Sequence, residues 1–215
     1  MQSFFAELVS RTDEDRRHFE THPAVLDAVA NGMSLERYRK LLLELYHVVW
    51  HFNPVCAAAA SRIADTHVQL RMFLYEHMHE ERGHEQWVVH DLEAIGVPPA
   101  RTRSHRPSAD TLALNGYNYW AADRRNPCSA LGMLYALEVI ASVYGSPFAE
   151  AIRESLLLQG DNGVSFISSH ASLDAQHMAE LRQIMSSLKD EASHEAVIES
   201  AQVNFHHFTR IVEAV

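Results

Sequence analysis

The chain has 215 residues, of which 47% are hydrophobic, so it can bury a substantial core as a single domain covering residues 1–215. Its formal net charge of −10 disfavours nucleic acid and anionic membranes as partners, because both attract basic surfaces. Cys56 and Cys128 form no CxxC pair, the first residues do not resemble a signal peptide, and no run looks long and apolar enough to cross a bilayer, so we expect a cytoplasmic protein.

The first half of the chain predicts five helices, at 3–19, 23–30, 35–52, 55–65 and 68–95. Ser34 is a suitable N-cap for the third helix. Asn53-Pro54 predicts the end of that helix, because proline cannot donate to the hydrogen-bond ladder. Gly96 and the two prolines that follow it predict the end of the fifth helix.

The second half begins with a basic connection at 100–107, which we interpret as a loop within one domain. Further helices are predicted at 108–123, 129–144, 148–158, 164–188 and 194–215. Pro127 and Pro147 separate the first three of these segments. Because no strand pattern or internal repeat is found, the sequence predicts an all-α bundle of seven or more helices with short connections.

One helical stretch carries three potential metal ligands, His170, Asp174 and His177, at positions i, i+4 and i+7. On a helix these offsets place them within roughly 60° of one another. The same stripe continues into apolar residues such as Leu181, which predicts that the three side chains point into the core. Buried ionisable groups are costly unless they are paired or bound to a metal. The stretch therefore indicates a metal site.

The predicted helix 68–95 offers several Glu and His side chains, and helical phase has to choose among them. Glu81 and His84 share an otherwise apolar stripe, so we predict that both face inward as ligands. His77 lies on the same stripe, where it could support the ligands from behind or line a substrate pocket. Glu80 stands beside this face and is easily confused with Glu81.

Glu138 is the one charged residue of the apolar segment 129–144, so it lies on a buried side whichever face packs inward. It must be protonated, bound to a cation, or paired with an arginine such as Arg37 or Arg182. Three carboxylates and three imidazoles from three helices are the mixed oxygen and nitrogen set expected for a pair of iron or manganese ions in a bundle. The predicted ligands, which would also be the catalytic residues, are Glu81, His84, Glu138, His170, Asp174 and His177.

Glu81-x-x-His84, the isolated Glu138 and His170-x3-Asp174-x2-His177 together resemble the haem-oxygenase-like di-iron oxidases and oxygenases, relatives of the TenA and PqqC proteins. The likeness extends over nearly the whole chain. It implies a seven-helix bundle, commonly a homodimer, that binds two Fe²⁺ ions and uses O₂ to oxidise a small metabolite. The reactions that this resemblance implies are N-oxygenation, oxidative decarboxylation or C–C bond cleavage of an amino-acid-like or fatty-acid-like substrate. The substrate itself is not indicated by any motif.

Glu44-x-x-His47 offers a rival, ferritin-like arrangement in which it would combine with Glu81-x-x-His84. That arrangement would leave the stretch from His170 to His177 without a role. We therefore expect His47, together with His51 and Tyr135, to line a substrate cavity or to stand behind the ligands.

Three other functions compete with the di-iron hypothesis. A haem oxygenase would need a proximal histidine, His18 or His22, and a glycine-rich distal helix, whereas the corresponding segment holds only Gly132. A TenA-like thiamin hydrolase would need a nucleophilic cysteine, for which Cys128 at a helix start is the candidate. A non-catalytic metal-binding protein would take up metal without consuming O₂ in a substrate-dependent way.

Overall fold

The computed structural model describes residues 3–215, except for the side chains of residues 170–176. Within that part every regular element is helical, which confirms the all-α prediction. Eleven α-helices are described, more than the seven of the simplest bundle: α1 Phe4–Arg11, α2 Asp13–Thr21, α3 Pro23–Asn31, α4 Leu35–Ala60, α5 Val68–Glu80, α6 His84–Ala94, α7 Pro99–Ser104, α8 Ala109–Arg124, α9 Ser129–Ser155, α10 Ser165–Met185 and α11 Glu191–Ala214.

Side-chain caps set several of the helix starts, and the cap at Ser34 was predicted from sequence. Ser34 Oγ accepts a hydrogen bond from the Arg37 N–H at 3.4 Å, and Ser108 Oγ accepts one from the Thr111 N–H at 3.2 Å. Each bond satisfies one of the backbone donors that a helix start leaves without a partner. The predicted loop 100–107 contains the short helix α7.

Two prolines that were expected to end helices lie inside them instead. Helix α4 runs through Pro54, and α9 runs through Pro147. A proline within a helix frees the carbonyl four residues earlier. Those positions, Trp50 and Val143, are 48% and 51% exposed, so the freed carbonyls lie on the solvent side, where the loss is least costly. The segments 35–52 and 55–65, like 129–144 and 148–158, therefore merge into long helices.

Helix α9 forms the centre of the bundle and packs against α10, α11 and α3, while α4 packs against α5, α6 and α8. Gly132 permits the close approach of α9 and α11, because a Cβ at this position would lie 2.1 Å from the Val197 carbonyl oxygen. By length and composition α9 is long and apolar enough to cross a membrane, which corrects the expectation from sequence. More than half of its apolar window is nevertheless buried by the rest of the bundle, as in the core helix of a globular protein.

Candidate metal centre

The predicted helix 68–95 is broken at Glu81–Gly83, where α5 ends and α6 begins. Gly83 adopts a left-handed conformation with φ of 91°, which a residue with a side chain reaches only at a cost. Both residues predicted to be ligands on either side of the break remain buried. His84 Nδ1 lies 2.7 Å from Glu81 Oε2, and the His84 ring stacks on Trp87 with ring centroids 4.0 Å apart.

His77, at the end of α5, is a buried histidine whose two ring nitrogens have no hydrogen-bond partner among the described residues. Its Nε2 lies 3.8 Å from Glu138 Oε1, and its Nδ1 lies 3.9 Å from Glu80 Oε2. Burial lowers the pKa of His77, so the neutral, metal-binding form is favoured. Buried polar groups are rarely left without a partner, and such an imidazole is the residue type that a metal would satisfy.

Glu138 and His177 meet in the core between α9 and α10. His177 Nδ1 lies 3.0 Å from Glu138 Oε1, and His177 Nε2 lies 3.7 Å from Glu80 Oε2. The hydrogen bond with Glu138 raises the pKa of His177 to about 9, against the opposing effect of burial. In the metal-free protein this pair is therefore a buried ion pair, in which each charge compensates the other.

Two groups of side chains are compact enough to hold a metal ion, His77 with Glu80 and His177, and His77 with Glu81 and Glu138. In each group one ligand atom per residue lies within 4.8 Å of the others. Ligands about 2.1 Å from a common ion are separated by at most about 4.2 Å, so small side-chain rotations would close either group around an ion. Imidazole and carboxylate together suit iron or manganese better than calcium or magnesium. The residues present thus fit the metal that the sequence predicted.

The structure brings together Glu81, Glu138 and His177, three of the six ligands predicted from sequence, and places His84 against Glu81. The side chains of His170 and Asp174 lie outside the described residues, although α10 carries both positions. Glu80 belongs to one of the two groups but was not chosen from sequence. Gly83 lies inside a sequence that otherwise favours one continuous helix. It was the residue from which the break between α5 and α6, and the resulting change in the direction of the side chains, could have been predicted.

The side chains of Glu44 and His47 contact residues 105–111 and do not belong to either metal-binding group. Glu44 accepts hydrogen bonds from the Ser108 N–H at 2.9 Å and from Thr111 Oγ1 at 2.6 Å, and its Oε1 lies 3.1 Å from His105 Nε2. His47 Nε2 lies 3.0 Å from the His105 carbonyl oxygen. Because these contacts fasten α4 to α7 and α8, the structure does not form the ferritin-like combination with Glu81 and His84.

The two other residues expected near a cavity also lie elsewhere. His51 Nδ1 lies 3.0 Å from the Tyr119 hydroxyl, which attaches α4 to α8. Tyr135 is fully buried and packs edge-on against Phe5 and Phe205. Its role in the described structure is that of a core aromatic residue.

A cavity of about 170 Å³ adjoins the centre. Glu81 and Glu138 belong both to its wall and to one of the metal-binding groups. The other described residues of the wall are apolar, apart from Tyr144. The candidate metal centre therefore opens directly onto an apolar pocket, which is where a substrate would lie.

The cysteine required by a thiamin hydrolase is not activated in this structure. Cys128 is buried, and burial raises the pKa of its thiol. Burial likewise raises the pKa of Cys56. A nucleophilic thiol needs a lowered pKa and access to its substrate. For the haem alternative, His18 is exposed, and His22 Nδ1 accepts the Ala24 N–H at 3.3 Å as the N-cap of α3.

Comparison with known proteins gives a family and a fold. A family model described as iron-containing redox enzyme matches residues 39–206. No curated protein gives a significant match to the chain. Solved structures do match: a domain of unknown function with a haem-oxygenase-like fold from Shewanella denitrificans OS217 is 23% identical with a TM-score of 0.85, covering 95% of this chain and 88% of that chain.

Two further solved structures link the fold to different activities. A TenA homologue from Pseudomonas syringae pv. tomato is 14% identical with a TM-score of 0.83, covering 98% of this chain and 91% of that chain. Haem oxygenase-1 from Synechocystis sp. PCC 6803, solved in complex with haem, is 17% identical with a TM-score of 0.79. The match covers 99% of this chain and 92% of that chain. At these identities the likeness establishes the haem-oxygenase-like fold, as predicted from sequence, and does not select an activity.

Proposed function

This chain belongs to the family of iron-containing redox enzymes, and from that premise we propose that it is a non-haem di-iron oxidoreductase that uses O₂ to oxidise a small metabolite. The reaction classes are N-oxygenation, oxidative decarboxylation or C–C bond cleavage. The observation that carries the proposal is His77, a buried imidazole without a hydrogen-bond partner among the described residues, which belongs to both metal-binding groups.

The proposed ligands come from the four helices α5, α6, α9 and α10 and from the turn between α5 and α6. Glu81, Glu138 and His177 would bind the metals together with His77, and the sequence motif adds His84, His170 and Asp174. When bound, two ferrous ions would supply the electrons that reduce O₂. His77, Glu81, Glu138 and His177 are buried, so packing in the core of the bundle holds their ligand atoms in place.

His177 has to change its protonation state when a metal binds. Its Nε2 faces the Glu80 side chain, while its Nδ1 faces Glu138. Binding through Nε2 would release the proton from that atom and leave Nδ1–H donating to Glu138 Oε1, which fixes the orientation of the ring. The same carboxylate that stabilises the charged imidazole in the metal-free protein would then orient the neutral one.

The apolar cavity supplies the second requirement of an oxidase, a dry site. Its described wall offers water few hydrogen-bond partners besides Glu81, Glu138 and Tyr144. Exclusion of water protects a reactive oxidant from side reactions and brings a bound substrate next to the carboxylates.

A metal-binding comparison of two carboxylate variants of α9 tests the proposal. Glu138→Ala removes a carboxylate of the centre, whereas Glu150→Ala removes an exposed carboxylate of the same helix. After anaerobic incubation with excess Fe²⁺ and gel filtration, we expect the Glu150→Ala protein to keep as much iron as the wild type and Glu138→Ala to lose most of it. Circular dichroism of both variants shows whether each is folded.

Haem titration of the same samples tests the alternative that the protein binds haem instead of two iron ions. Stoichiometric haem binding that survives Glu138→Ala, with no retention of free iron, would replace the di-iron proposal by a haem-dependent function on the same fold. If the protein takes up iron but consumes no O₂ in the presence of candidate substrates, the result would favour the alternative of a non-catalytic metal-binding protein.

A further inference from the structure

The cavity beside the metal centre follows two helices over a long distance. On α4 its wall runs from Leu41 to Phe52, and on α9 it runs from Leu137 to Phe148. At a rise of 1.5 Å per residue, each of these segments covers about 16 Å of helix axis. The cavity is therefore elongated along the bundle.

Ring contacts identify the two ends of the cavity. Phe52 lies 5.7 Å from His77 between ring centroids, so it marks the metal end on α4. Phe148 lies 6.2 Å from Tyr38, which stands one turn before Leu41, so this contact marks the opposite end. The Tyr38 hydroxyl donates to the Gly163 carbonyl at 2.8 Å, and this bond ties the far end to the segment before α10.

The chemistry of the wall differs sharply between the ends. The described lining contains no lysine, arginine or histidine, and its carboxylates, Glu81 and Glu138, lie at the metal end. The phenol of Tyr144 is already hydrogen-bonded to Glu20, and burial raises its pKa to about 12. A ligand with a charged group along its length would lose its hydration here without gaining a partner.

We infer that the cavity binds an aliphatic chain of roughly six to eight carbons, a size set by comparison with the 150 Å³ cavity that accommodates benzene. The chain would carry one polar head at the Glu81 and Glu138 end. As an assignment of substrate class this rests on the proposed function, since it places the head group at the metals. The inference excludes amino acids with charged side chains, whose ends would lie against apolar wall.

Small side chains provide the room for such a ligand. Ala141 lines the cavity one turn beyond Glu138, and Ala28 lines it from α3. A leucine at either position would add three carbons to the wall, so it should remove the space of about three methylene groups of the ligand. The two alanines are thus predicted to determine the chain length that is accepted.

Binding of aliphatic probes to the metal-free, folded protein tests the inference. The probes are octanoate, 1-octanol and octylamine, each with its five-carbon counterpart, and binding is measured by calorimetry. We expect at least one eight-carbon probe to bind and Ala141→Leu to weaken it about fifty-fold, the worth of three buried methylene groups. The five-carbon counterpart fills less of the cavity, so Ala141→Leu should weaken its binding less than it weakens binding of the eight-carbon probe.

Val143→Leu is the matched control, because Val143 lies on the exposed side of the same helix. It should leave probe binding unchanged, and Ala28→Leu should repeat the effect of Ala141→Leu if the first variant fails to fold. Absence of binding by every eight-carbon probe, binding that neither leucine variant weakens, or tighter binding of lysine or arginine would overturn the inference. The assay needs no metal, so probe binding without iron uptake would refute the proposed function while the ligand class stands.

Discussion

His177 Nδ1 lies 3.0 Å from Glu138 Oε1, and this contact joins α10 to α9 inside the core. The hydrogen bond raises the pKa of His177 from 6.5 to about 9. A histidine whose pKa is raised on folding stabilises the protein fully below its unfolded-state pKa, and this contribution is lost as pH rises through the folded-state pKa. The relevant window for the metal-free protein is therefore pH 6.5 to 9.

The first prediction concerns this pH dependence. Between pH 6.5 and 9 the free energy of unfolding of the metal-free protein should fall by roughly 2–3 kcal/mol because of His177. Glu138→Gln removes the partner charge and should flatten the curve. Urea unfolding at several pH values measures this pH dependence of the free energy of unfolding. His79→Gln, at an exposed position, is the control and should leave the pH dependence unchanged. An equally steep curve in Glu138→Gln would show that the pair does not control the titration.

The second prediction concerns Gly83, whose φ of 91° sets the break between α5 and α6. A Cβ here would meet no atom within 4 Å, so Gly83→Ala tests backbone strain alone. We expect it to lower the free energy of unfolding by about 1–2 kcal/mol. Gly116, an exposed glycine inside α8, also has open space around it, and Gly116→Ala should instead stabilise by about 0.5–1 kcal/mol. Equal effects of the two substitutions would contradict this account of the break.

Much of the fold followed from local signals in the sequence. Ser34 caps α4 as expected, because capping depends on a few neighbouring residues. The continuation of α4 through Pro54 was not predictable in the same way, since it depends on whether the carbonyl of Trp50 faces solvent in the folded bundle. The sequence does not contain that tertiary information in any local pattern.

The candidate site likewise contains residues that local sequence patterns identify and one residue that depends on tertiary packing. Glu138 could be identified because a lone carboxylate in an apolar helix must be buried, and His177 because it shares a stripe with apolar residues. Glu80 was missed, since a continuous helix 68–95 assigns it to the edge of the stripe. Its proximity to His177 arises only when α10 packs against α5, a contact between distant segments.

The third prediction concerns Asp91, a buried carboxylate of α6 that holds the start of α10. Its Oδ1 accepts hydrogen bonds from the Ser165 N–H at 2.9 Å and from Ser165 Oγ at 2.8 Å, and its Oδ2 accepts the Phe166 N–H at 2.8 Å. Asp91→Asn replaces one acceptor by an NH₂ group that faces these donors, so it should cost about 2–3 kcal/mol of unfolding free energy. Because α10 carries His177, iron affinity should fall as well.

Denaturant unfolding and iron titration of the Asp91→Asn variant check both effects. Glu93→Gln, at an exposed position of the same helix, serves as the control and should change neither quantity. A loss of stability below about 0.5 kcal/mol in Asp91→Asn would show that the start of α10 does not depend on this carboxylate.

The fourth prediction concerns Glu44, which fastens α4 to α8. Burial opposes its ionisation, but hydrogen bonds from Thr111, Ser108 and His105 outweigh burial and hold its pKa below 4.5. A carboxylate with a lowered pKa stabilises the fold above its unfolded-state pKa, and this contribution disappears as pH falls through the folded-state value. Glu44→Gln should therefore cost about 2 kcal/mol at pH 7.

The difference between wild type and Glu44→Gln should narrow once the pH falls below 4.5, the ordinary value for this group. Urea unfolding at pH 7 and at progressively lower pH measures the gap. Glu36→Gln, an exposed position in the first turn of α4, is the control. A gap that stays constant down to acid denaturation would mean that the charge of Glu44 is not what stabilises this junction.

The central claim is that Glu81, Glu138, His77 and His177 belong to a centre that holds iron and reacts with O₂. The most direct measurement is anaerobic loading of the full chain with Fe²⁺, a count of iron per chain after removal of the excess, and then O₂ consumption on exposure to oxygen. We predict about two irons per chain and consumption of O₂ that scales with the iron bound. Retention of no iron by the folded wild-type protein, with no reaction with O₂, would contradict the account.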